Sequence, residues 1–414
     1  MKTIDEALDI VLDATRTLGE EEVPLFEALR RVASRSVLSP IDIPPFSCSA
    51  MDGYAVRGRD LDHDGLTFEV VDEVPAGTVS SVAVGAGCAA KIMTGAQLPS
   101  GADTVVPVKL TKPGASDVRV GGRVCVVRAL EPGANVRRAG DGLASGSSVL
   151  GPGQGLSPAH LGLLASLGLG AVAVTVRPRV AILATGSELV ALGEPCGPGQ
   201  INDANSIAAY GQVLEAGAEP LLLGIARDDR DELRRLLKTA LEADVVITSG
   251  GVSVGELDYV KEIQEDLGVE TRFWGVKAKP GWPLTFGVCG ETLVFGVPGN
   301  PVAAMVSFEL FIRPALHAMQ ARRDLFRPCV RATSRDALKA TKERVELSRC
   351  RHIREGGGGS FARAGSLGSG VLHSMALADG LALVPAGHPG SEPGAEFGVL
   401  LLEGASSERP PFPD

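Results

Sequence analysis

An apolar run that ends in a glycine-rich loop constrains the fold of this chain more than any other feature. Residues 245–248 read Val-Val-Ile-Thr, and residues 249–255 continue as Ser-Gly-Gly-Val-Ser-Val-Gly. Such a run is typical of a buried strand, and α/β proteins bind their ligands at the carboxyl ends of these strands. Glycine there lets backbone N–H groups approach phosphate oxygens. The segment predicts an α/β domain with a site for an anionic, nucleotide-like ligand.

The loop has the glycine spacing of a P-loop but not its chemistry. Glycines stand at the required interval in residues 250–255, yet Glu256 occupies the place where a P-loop has lysine. An acidic side chain repels a triphosphate and suits a metal ion or a hydroxyl-rich group better. An ordinary turn after a strand could carry the same glycines. The nearby Asp258, Lys277 and Lys279 favour a ligand site over such a turn.

Strand and helix patterns alternate between residues 175 and 321. The candidate strands are Val180–Ala184, Pro220–Leu223, Val245–Thr248, Leu284–Phe286 and Leu293–Val297. The helix after Asp229 begins with the capping-box pair Asp229 and Glu232. Strands separated by helices predict a parallel sheet with right-handed crossovers.

The regions that flank residues 175–321 have different sequence patterns. A capping box at Thr3 and Glu6 predicts an N-terminal helix, and a second short helix is expected over residues 25–33. Residues 43–136 are rich in short alternating runs and predict a small all-β domain. Residues 137–174 return to a helix and are expected to join residues 1–42 in a discontinuous domain. After residue 322 the pattern is again that of β structure.

Charge and cysteine usage exclude several classes of protein. The net charge of −10 argues against nucleic acid as a partner, because neutralising phosphates requires a basic surface. The 7 cysteines form no C-x-x-C pair, and the 6 histidines have no metal-binding spacing, so we expect reduced thiols and a cytoplasmic location. The N-terminus does not read as a signal peptide, and no apolar run predicts a membrane span.

Other segments also place polar or acidic residues after a predicted strand or at the start of a helix. Residues 184–189 read Ala-Thr-Gly-Ser-Glu-Leu, which again places glycine and an acid after a strand. Residues 199–206 open the next helix with Asn205 near its start, either as an anion site or only as caps and turn formers. Asp228 is a candidate for a metal or a proton, and a second cap contact is an equal alternative.

Together these motifs resemble the molybdopterin molybdenumtransferases, the family of bacterial MoeA and the E domain of gephyrin. The motifs that carry the resemblance are Ser-Ala-Met-Asp-Gly-Tyr-Ala (49–55), Ile-Met-Thr-Gly (92–95), Asn-Val-Arg-Arg (135–138), residues 184–189, residues 249–255, Lys-Pro-Gly (279–281) and Pro-Gly-Asn-Pro (298–301). The resemblance implies a multidomain α/β plus β fold. Its parts are the discontinuous domain of residues 1–42 and 137–174, a small β domain of residues 43–136, a three-layer MoaB/MogA-like α/β domain of residues 175–321, and a C-terminal β-barrel of residues 322–414.

The resemblance also implies an activity and its partners. Members insert molybdenum from molybdate into adenylylated molybdopterin with release of AMP, and they need a divalent cation, usually Mg²⁺. We therefore expect a cytoplasmic homodimer that binds small anionic substrates and makes a transient contact with the molybdopterin adenylyltransferase. Neither nucleic acid nor a membrane is expected as a partner.

Carried over position by position, the resemblance implies a set of site residues. The catalytic candidates are Asp52, Thr94, Glu188, Asp228, Asp258, Lys277 and Lys279, with Asp228 and Asp258 as metal ligands. The candidates for binding the pterin nucleotide or molybdate are Thr185, Gly186, Ser187, Asn205, Ser249, Gly250, Gly251, Val252, Ser253, Gly255, Pro280, Gly281, Pro298, Asn300, Pro301, Arg349 and Ser369.

Three positions depart from the pattern of the family. Trp282 replaces the second lysine of Lys-Pro-Gly-Lys-Pro, Gly142 replaces a carboxylate, and Lys109 stands where an acid is usual. Losing a charge-assisted contact costs about 1.5–3 kcal/mol of binding, although Trp282 could instead stack on a ring of the ligand. These departures keep open a second hypothesis, a non-catalytic homologue that binds the pterin nucleotide or serves as a scaffold.

Overall fold

The computed structural model describes the chain except residues 113, 228, 251–258, 356–357, 366–367, 369 and 414. Its contacts divide it into two compact units. Unit 1 contains Met1–Arg35, Pro152–Leu161 and Ala171–Asp414, and unit 2 contains Ser36–Gly151 and Gly162–Gly170. The division into four domains stays a prediction.

The regular elements of the described residues are as follows. The α-helices are α1 (Ile4–Asp13), α2 (Pro158–Ser166), α3 (Ala204–Glu215), α4 (Arg230–Ala240), α5 (Tyr259–Asp266), α6 (Pro301–Ser307), α7 (Arg313–Met319) and α8 (Leu372–Ala376). The strands are β1 (Glu20–Pro24), β2 (Val37–Leu38), β3 (Cys48–Ser49), β4 (Gly53–Val56), β5 (Thr67–Val74), β6 (Cys88–Ile92), β7 (Thr104–Pro107), β8 (Arg123–Cys125), β9 (Val136–Arg137), β10 (Ser148–Leu150), β11 (Ala171–Thr175), β12 (Arg179–Thr185), β13 (Leu189–Val190), β14 (Ile201–Asn202), β15 (Glu219–Ala226), β16 (Val245–Ser249), β17 (Glu270–Trp274), β18 (Ala278–Lys279), β19 (Thr285–Cys289), β20 (Thr292–Val297), β21 (Cys329–Ser334), β22 (Val345–Glu355), β23 (Gly358–Arg363), β24 (Gly380–Val384) and β25 (Glu396–Leu401).

The central sheet of unit 1 has the strand order β15-β12-β16-β20-β19-β17. The first four strands are parallel, as the alternation of strands and helices predicts. β19 runs antiparallel to both of its neighbours, β20 and β17, and a tight turn at Gly290, whose φ is +58°, joins it to β20. Parallel strands align their carboxyl ends, so the ends of β12, β16 and β20 lie at one edge.

Two larger sheets hold most of the other β structure of the described residues, besides several two-stranded pairings. In unit 1, β22-β23-β21-β25-β24 closes on itself through a pairing of β24 with β22, which makes the expected C-terminal barrel. The short strand β18 adds to β22 in parallel and ties the α/β region to this barrel. In unit 2, the sheet β7-β4-β6-β5-β8 buries Tyr54 and Phe68 in an aliphatic core. The fold class is therefore confirmed as α/β plus β.

Local sequence signals decide the helix starts. Thr3 caps α1, with its hydroxyl accepting from the Glu6 N–H at 3.2 Å and the Glu6 carboxylate accepting from the Thr3 N–H at 2.9 Å. Asp229 caps α4, and the Glu232 carboxylate accepts from the N–H of Arg227 at 3.4 Å.

The second helix predicted over residues 25–33 is wrong. Only Leu25–Glu27 forms a short 3₁₀ turn. Arg30 then adopts a left-handed backbone with φ +63°, which an α-helix does not accept.

One long helical run lies in the core of unit 1. Pro301–Met319 has a mean hydropathy of 1.3 and is long enough to cross a membrane, yet 83% of its apolar window is buried inside the protein. A π-helical turn, Phe308–Ile312, separates α6 from α7. This turn carries Glu309, which accepts hydrogen bonds from Arg313 at 2.7 Å and Arg327 at 2.8 Å. Burial and its apolar neighbours mark the run as a core helix.

A histidine on α7 should make stability depend on pH. Burial and the charges of Arg322 and Arg313 lower the pKa of His317 from 6.5 to about 3, and its Nδ1 lies 3.0 Å from the Asp324 carbonyl oxygen. Below pH 6.5 the unfolded chain takes up a proton that the folded chain refuses, so stability falls as the pH falls. We expect a loss of about 2 kcal/mol from this group between pH 7 and pH 5. Urea unfolding of His317→Asn at the two pH values should show most of this dependence removed.

The exposed His63 offers a matched control for that experiment. Its side chain is 66% exposed beside Asp62. His63→Asn should therefore retain the pH dependence of the unmodified protein. Equal pH dependence in all three proteins would show that His317 is not the responsible group.

Candidate active site

The carboxyl ends of three parallel strands bring the first predicted residues together. The Thr185 hydroxyl at the end of β12 donates to the Ser249 carbonyl at the end of β16 at 3.2 Å. The Gly250 N–H donates to the Val297 carbonyl at the end of β20 at 3.3 Å. Gly250 has φ +89°, and a Cβ there would lie 2.6 Å from the Thr185 carbonyl oxygen. Only glycine fits this crossing between neighbouring strand ends.

The loop after β12 also needs its glycine. Gly186 has φ +145°, and a Cβ there would lie 2.5 Å from Oε2 of Glu188. The Glu188 carboxylate is thus folded back over the backbone of Gly186, and both Ser187 and Glu188 are exposed at the sheet edge. The arrangement offers backbone groups and one carboxylate to a ligand at this edge.

The start of α3 approaches the turn after β20. Asp203 caps the helix by accepting from the Ser206 N–H at 3.0 Å. Asn205 donates from Nδ2 to the Gly299 carbonyl at 2.9 Å, and its Oδ1 is buried with no partner among the described residues. The Ser206 hydroxyl is also buried and has no partner among the described residues. Unsatisfied acceptors and donors are rare in protein interiors, so these atoms are candidates for contact with a bound molecule.

The turn after β20 is itself rigid. Pro298 is buried, and Asn300 and Pro301 begin α6 as its N-cap and first residue. Asn300 makes no side-chain capping bond.

The lysine segment lies where β18 joins the barrel. Lys277 is exposed, and Lys279 forms an ion pair of 3.1 Å with Glu346 of β22. Glu346 was not foreseen, because it is far from Lys279 in sequence and reaches it only through the pairing of β18 with β22. Pro280 follows a cis peptide bond, and Gly281 has φ +115°.

Arg349 lies on β22 and is buried. Its Nε donates to the hydroxyl of Ser374 at 3.1 Å, and its Nη2 donates to the Gly368 carbonyl at 3.1 Å. Burial lowers the pKa of this guanidinium. A bond to Ser374 of α8 could not be placed from the sequence, which showed only a loose serine pattern in this region.

In unit 2, Asp52 and Thr94 form a pair. The backbone N–H and the hydroxyl of Thr94 both donate to Oδ1 of Asp52 at 2.7 Å. These bonds hold the pKa of the exposed Asp52 carboxyl below its usual range. The two residues come from separate motifs, and their contact fixes the carboxylate in one orientation.

Several predicted residues lie outside the described part of the chain. These are Asp228, Gly251, Val252, Ser253, Gly255, Asp258 and Ser369. Both predicted metal ligands are among them. Within the described residues, no group of three or more His, Cys, Asp or Glu side chains is placed to hold a metal ion.

Comparisons with known proteins decide the family. Three family models match along the chain: the MoeA N-terminal region (domain I and II) at residues 2–168, the probable molybdopterin binding domain at 181–318, and the MoeA C-terminal region (domain IV) at 331–402. A Mycobacterium tuberculosis protein named molybdopterin molybdenumtransferase 2 is 36% identical over 93% of this chain and 96% of its own length. The chain belongs to the molybdopterin molybdenumtransferase family.

Further relatives agree with this assignment. The Bacillus subtilis molybdopterin molybdenumtransferase is 33% identical over 98% of this chain and 96% of its own. The crystal structure of the molybdopterin biosynthesis MoeA protein from Pyrococcus horikosii matches with a TM-score of 0.82 and 31% identity, and covers 97% of this chain and 99% of that one. These matches confirm the resemblance read from the motifs, and they do not favour a non-catalytic homologue.

The structure shows the neighbours of the three positions that depart from the family pattern. A Cβ on Gly142 would lie 3.0 Å from the Ile43 carbonyl oxygen, so the backbone leaves little room for a larger residue. Lys109 is exposed on the 3₁₀ turn Val108–Leu110. Trp282 contacts Met1, Trp274 and Arg344, with the centroids of the two indole rings 6.0 Å apart.

Proposed function

We propose that this protein inserts molybdenum from molybdate into adenylylated molybdopterin and releases AMP. One observation carries the proposal. The ends of β12, β16 and β20 and the start of α3 converge at one edge of the sheet, where buried polar atoms of Asn205 and Ser206 have no partner among the described residues. Such an edge, built from glycine turns, suits a phosphate-bearing ligand.

The residues at this edge differ in the groups that they would offer to the ligand. Thr185, Gly186, Ser187, Ser249 and Gly250 offer hydroxyl and backbone groups that would hold the pterin nucleotide. Glu188 lies beside them as the acceptor for a hydroxyl or amino group of the ligand.

The cations lie at the junction with the barrel. Lys277 and Lys279 would bind the molybdate or phosphate anion, since an ammonium group is a compact charge that suits a tetrahedral oxyanion. Arg349 adds a third cation, which is buried and lies on the same strand as Glu346, the partner of Lys279.

The remaining parts of the proposal rest on the family. Mg²⁺ would be held by Asp228 and Asp258 and would neutralise the pyrophosphate, in keeping with its preference for carboxylate and phosphate oxygens. We also propose a cytoplasmic homodimer, in which Asp52 and Thr94 of a second subunit complete the pocket, and a transient contact with the molybdopterin adenylyltransferase.

Release of AMP tests the proposal. Purified protein, adenylylated molybdopterin and Mg²⁺ should release AMP in amounts that rise with added molybdate, and EDTA should abolish the release. Binding of the pterin nucleotide without any release of AMP would instead support the non-catalytic homologue.

A further inference from the structure

Three cationic residues, Lys277, Lys279 and Arg344, lie in or directly beside the pairing of β18 with β22, and this region is called the cationic face. The register pairs Ala278 with Val345 and Lys279 with Glu346, and the ion pair of Lys279 with Glu346 puts these two side chains on the same side. Lys277 and Arg344 directly precede the two strands, and the Val345 N–H donates to the Lys277 carbonyl at 3.1 Å, so the two residues adjoin this pairing.

Trp282 supports the guanidinium of Arg344. The Arg344 Cζ lies 6.0 Å from the centroid of the Trp282 ring, within the range of a cation–π contact. The same ring packs against Trp274, and its Nε1 donates to Sδ of Met1 at 2.6 Å. Trp282 thus holds a cation near the place where the family carries its second lysine.

The charges on this face do not cancel. Lys279 is neutralised by Glu346, whose side chain is only 11% exposed. Within the part of the chain that the structure describes, the side chains of Lys277 and Arg344 form no ion pair or hydrogen bond. The two positive charges that remain, on Lys277 and Arg344, suit a dianion.

The same face continues into a groove of the barrel. A cavity of about 740 Å³ is lined by Lys279, Glu346 and Ser348, among others. Ser348 is 1% exposed, and its hydroxyl has no partner among the described residues. A buried hydroxyl without a partner in such a groove is an independent sign of a bound polar molecule.

We propose that Arg344 binds the tetrahedral oxyanion substrate and replaces the charge that is lost at position 282. The guanidinium, held on the Trp282 ring, donates to the oxyanion beside Lys277 and Lys279. The identity of the anion as molybdate rests on the proposed function, whereas the cationic face itself does not. Trp282 is then a positioning residue that does not stack on the pterin.

Tryptophan fluorescence gives a direct test, because the chain contains only 2 tryptophans and both lie at this face. Titration of the full protein with molybdate should change the emission in a saturable way. Arg344→Gln should raise the dissociation constant for molybdate by about tenfold or more, since a charge-assisted contact is removed. Arg344→Lys, which keeps the charge, should restore part of the affinity.

The matched control is Arg331→Gln. Arg331 is 68% exposed on β21 and pairs with Glu396 away from the tryptophans, so molybdate should bind this variant as it binds the unmodified protein. Parallel titrations with sulfate, with phosphate and with sodium chloride at equal ionic strength identify the anion. A preference for phosphate would assign the face to the pterin phosphate.

Two outcomes separate this inference from the proposed function. Unchanged molybdate affinity and unchanged AMP release in Arg344→Gln would overturn the role of Arg344 while leaving the transferase in place. Saturable molybdate binding that depends on Arg344, in a protein that releases no AMP, would uphold the anion site and overturn the transferase.

Discussion

Replacing Glu309 by alanine is expected to lower the free energy of unfolding by about 3–5 kcal/mol, because two buried cations lose their buried counter-ion and keep only the half-exposed Glu215. The Glu309 side chain is 4% exposed and pairs with Arg313 and Arg327, which are 3% and 5% exposed. It also accepts from Nε2 of Gln212 at 2.9 Å. Although burial alone would raise the pKa of Glu309, the two arginines lower it, so the carboxylate is charged in the folded protein. Urea unfolding at neutral pH measures the loss.

Two further variants give this prediction its control. Replacing Glu309, Arg313 and Arg327 together by methionine removes the three buried charges, leaves only the half-exposed Glu215, and should recover most of the lost stability. Glu396→Ala removes the partner of Arg331 from an exposed pair and should change the unfolding midpoint far less. A small effect of Glu309→Ala alone would contradict this prediction and would mean that Glu215 or water compensates the charges of the two arginines.

Replacing Gly250 by alanine is expected to reduce molybdate-dependent AMP release by roughly a hundredfold, the cost of displacing site groups by about 1 Å. The added Cβ would lie 2.6 Å from the carbonyl oxygen and 2.9 Å from the hydroxyl of Thr185, in a backbone with φ +89°. The ends of β12 and β16 would have to move apart. The measurements are AMP release and the dissociation constant of adenylylated molybdopterin.

Gly268 offers a matched control, since it has the same φ of +89° and its added Cβ would meet only the Cys289 sulfur, at 4.0 Å. Gly268→Ala carries the same backbone strain but should leave the activity of the folded protein intact. Equal losses in the two variants would attribute the effect to strain and not to the geometry of the strand ends.

The strand-end part of the site could be predicted from the sequence because its signals are local. A strand such as β16 is an unbroken apolar run, and its glycines and hydroxyls follow directly. The caps of α1 and α4 could also be predicted from the sequence, since each depends on residues three positions apart.

What the sequence left open depends on contacts between distant residues. The edge strand β17 buries only Phe273 and has no alternating pattern, so it was not predicted. The pairing of Lys279 with Glu346 and the position of Arg344 over Trp282 follow from the register of β18 on β22. Such a register is set by tertiary packing, and no local motif records it.

If this member of the molybdopterin molybdenumtransferase family transfers molybdenum to the pterin, AMP release and molybdenum insertion must occur together. The most direct measurement is the amount of molybdenum bound to the pterin for each AMP released from adenylylated molybdopterin in the presence of molybdate and Mg²⁺. A ratio near one, with the product able to activate a molybdenum-free molybdoenzyme, is the expected result. Release of AMP without bound molybdenum, or no release at all, would contradict the account.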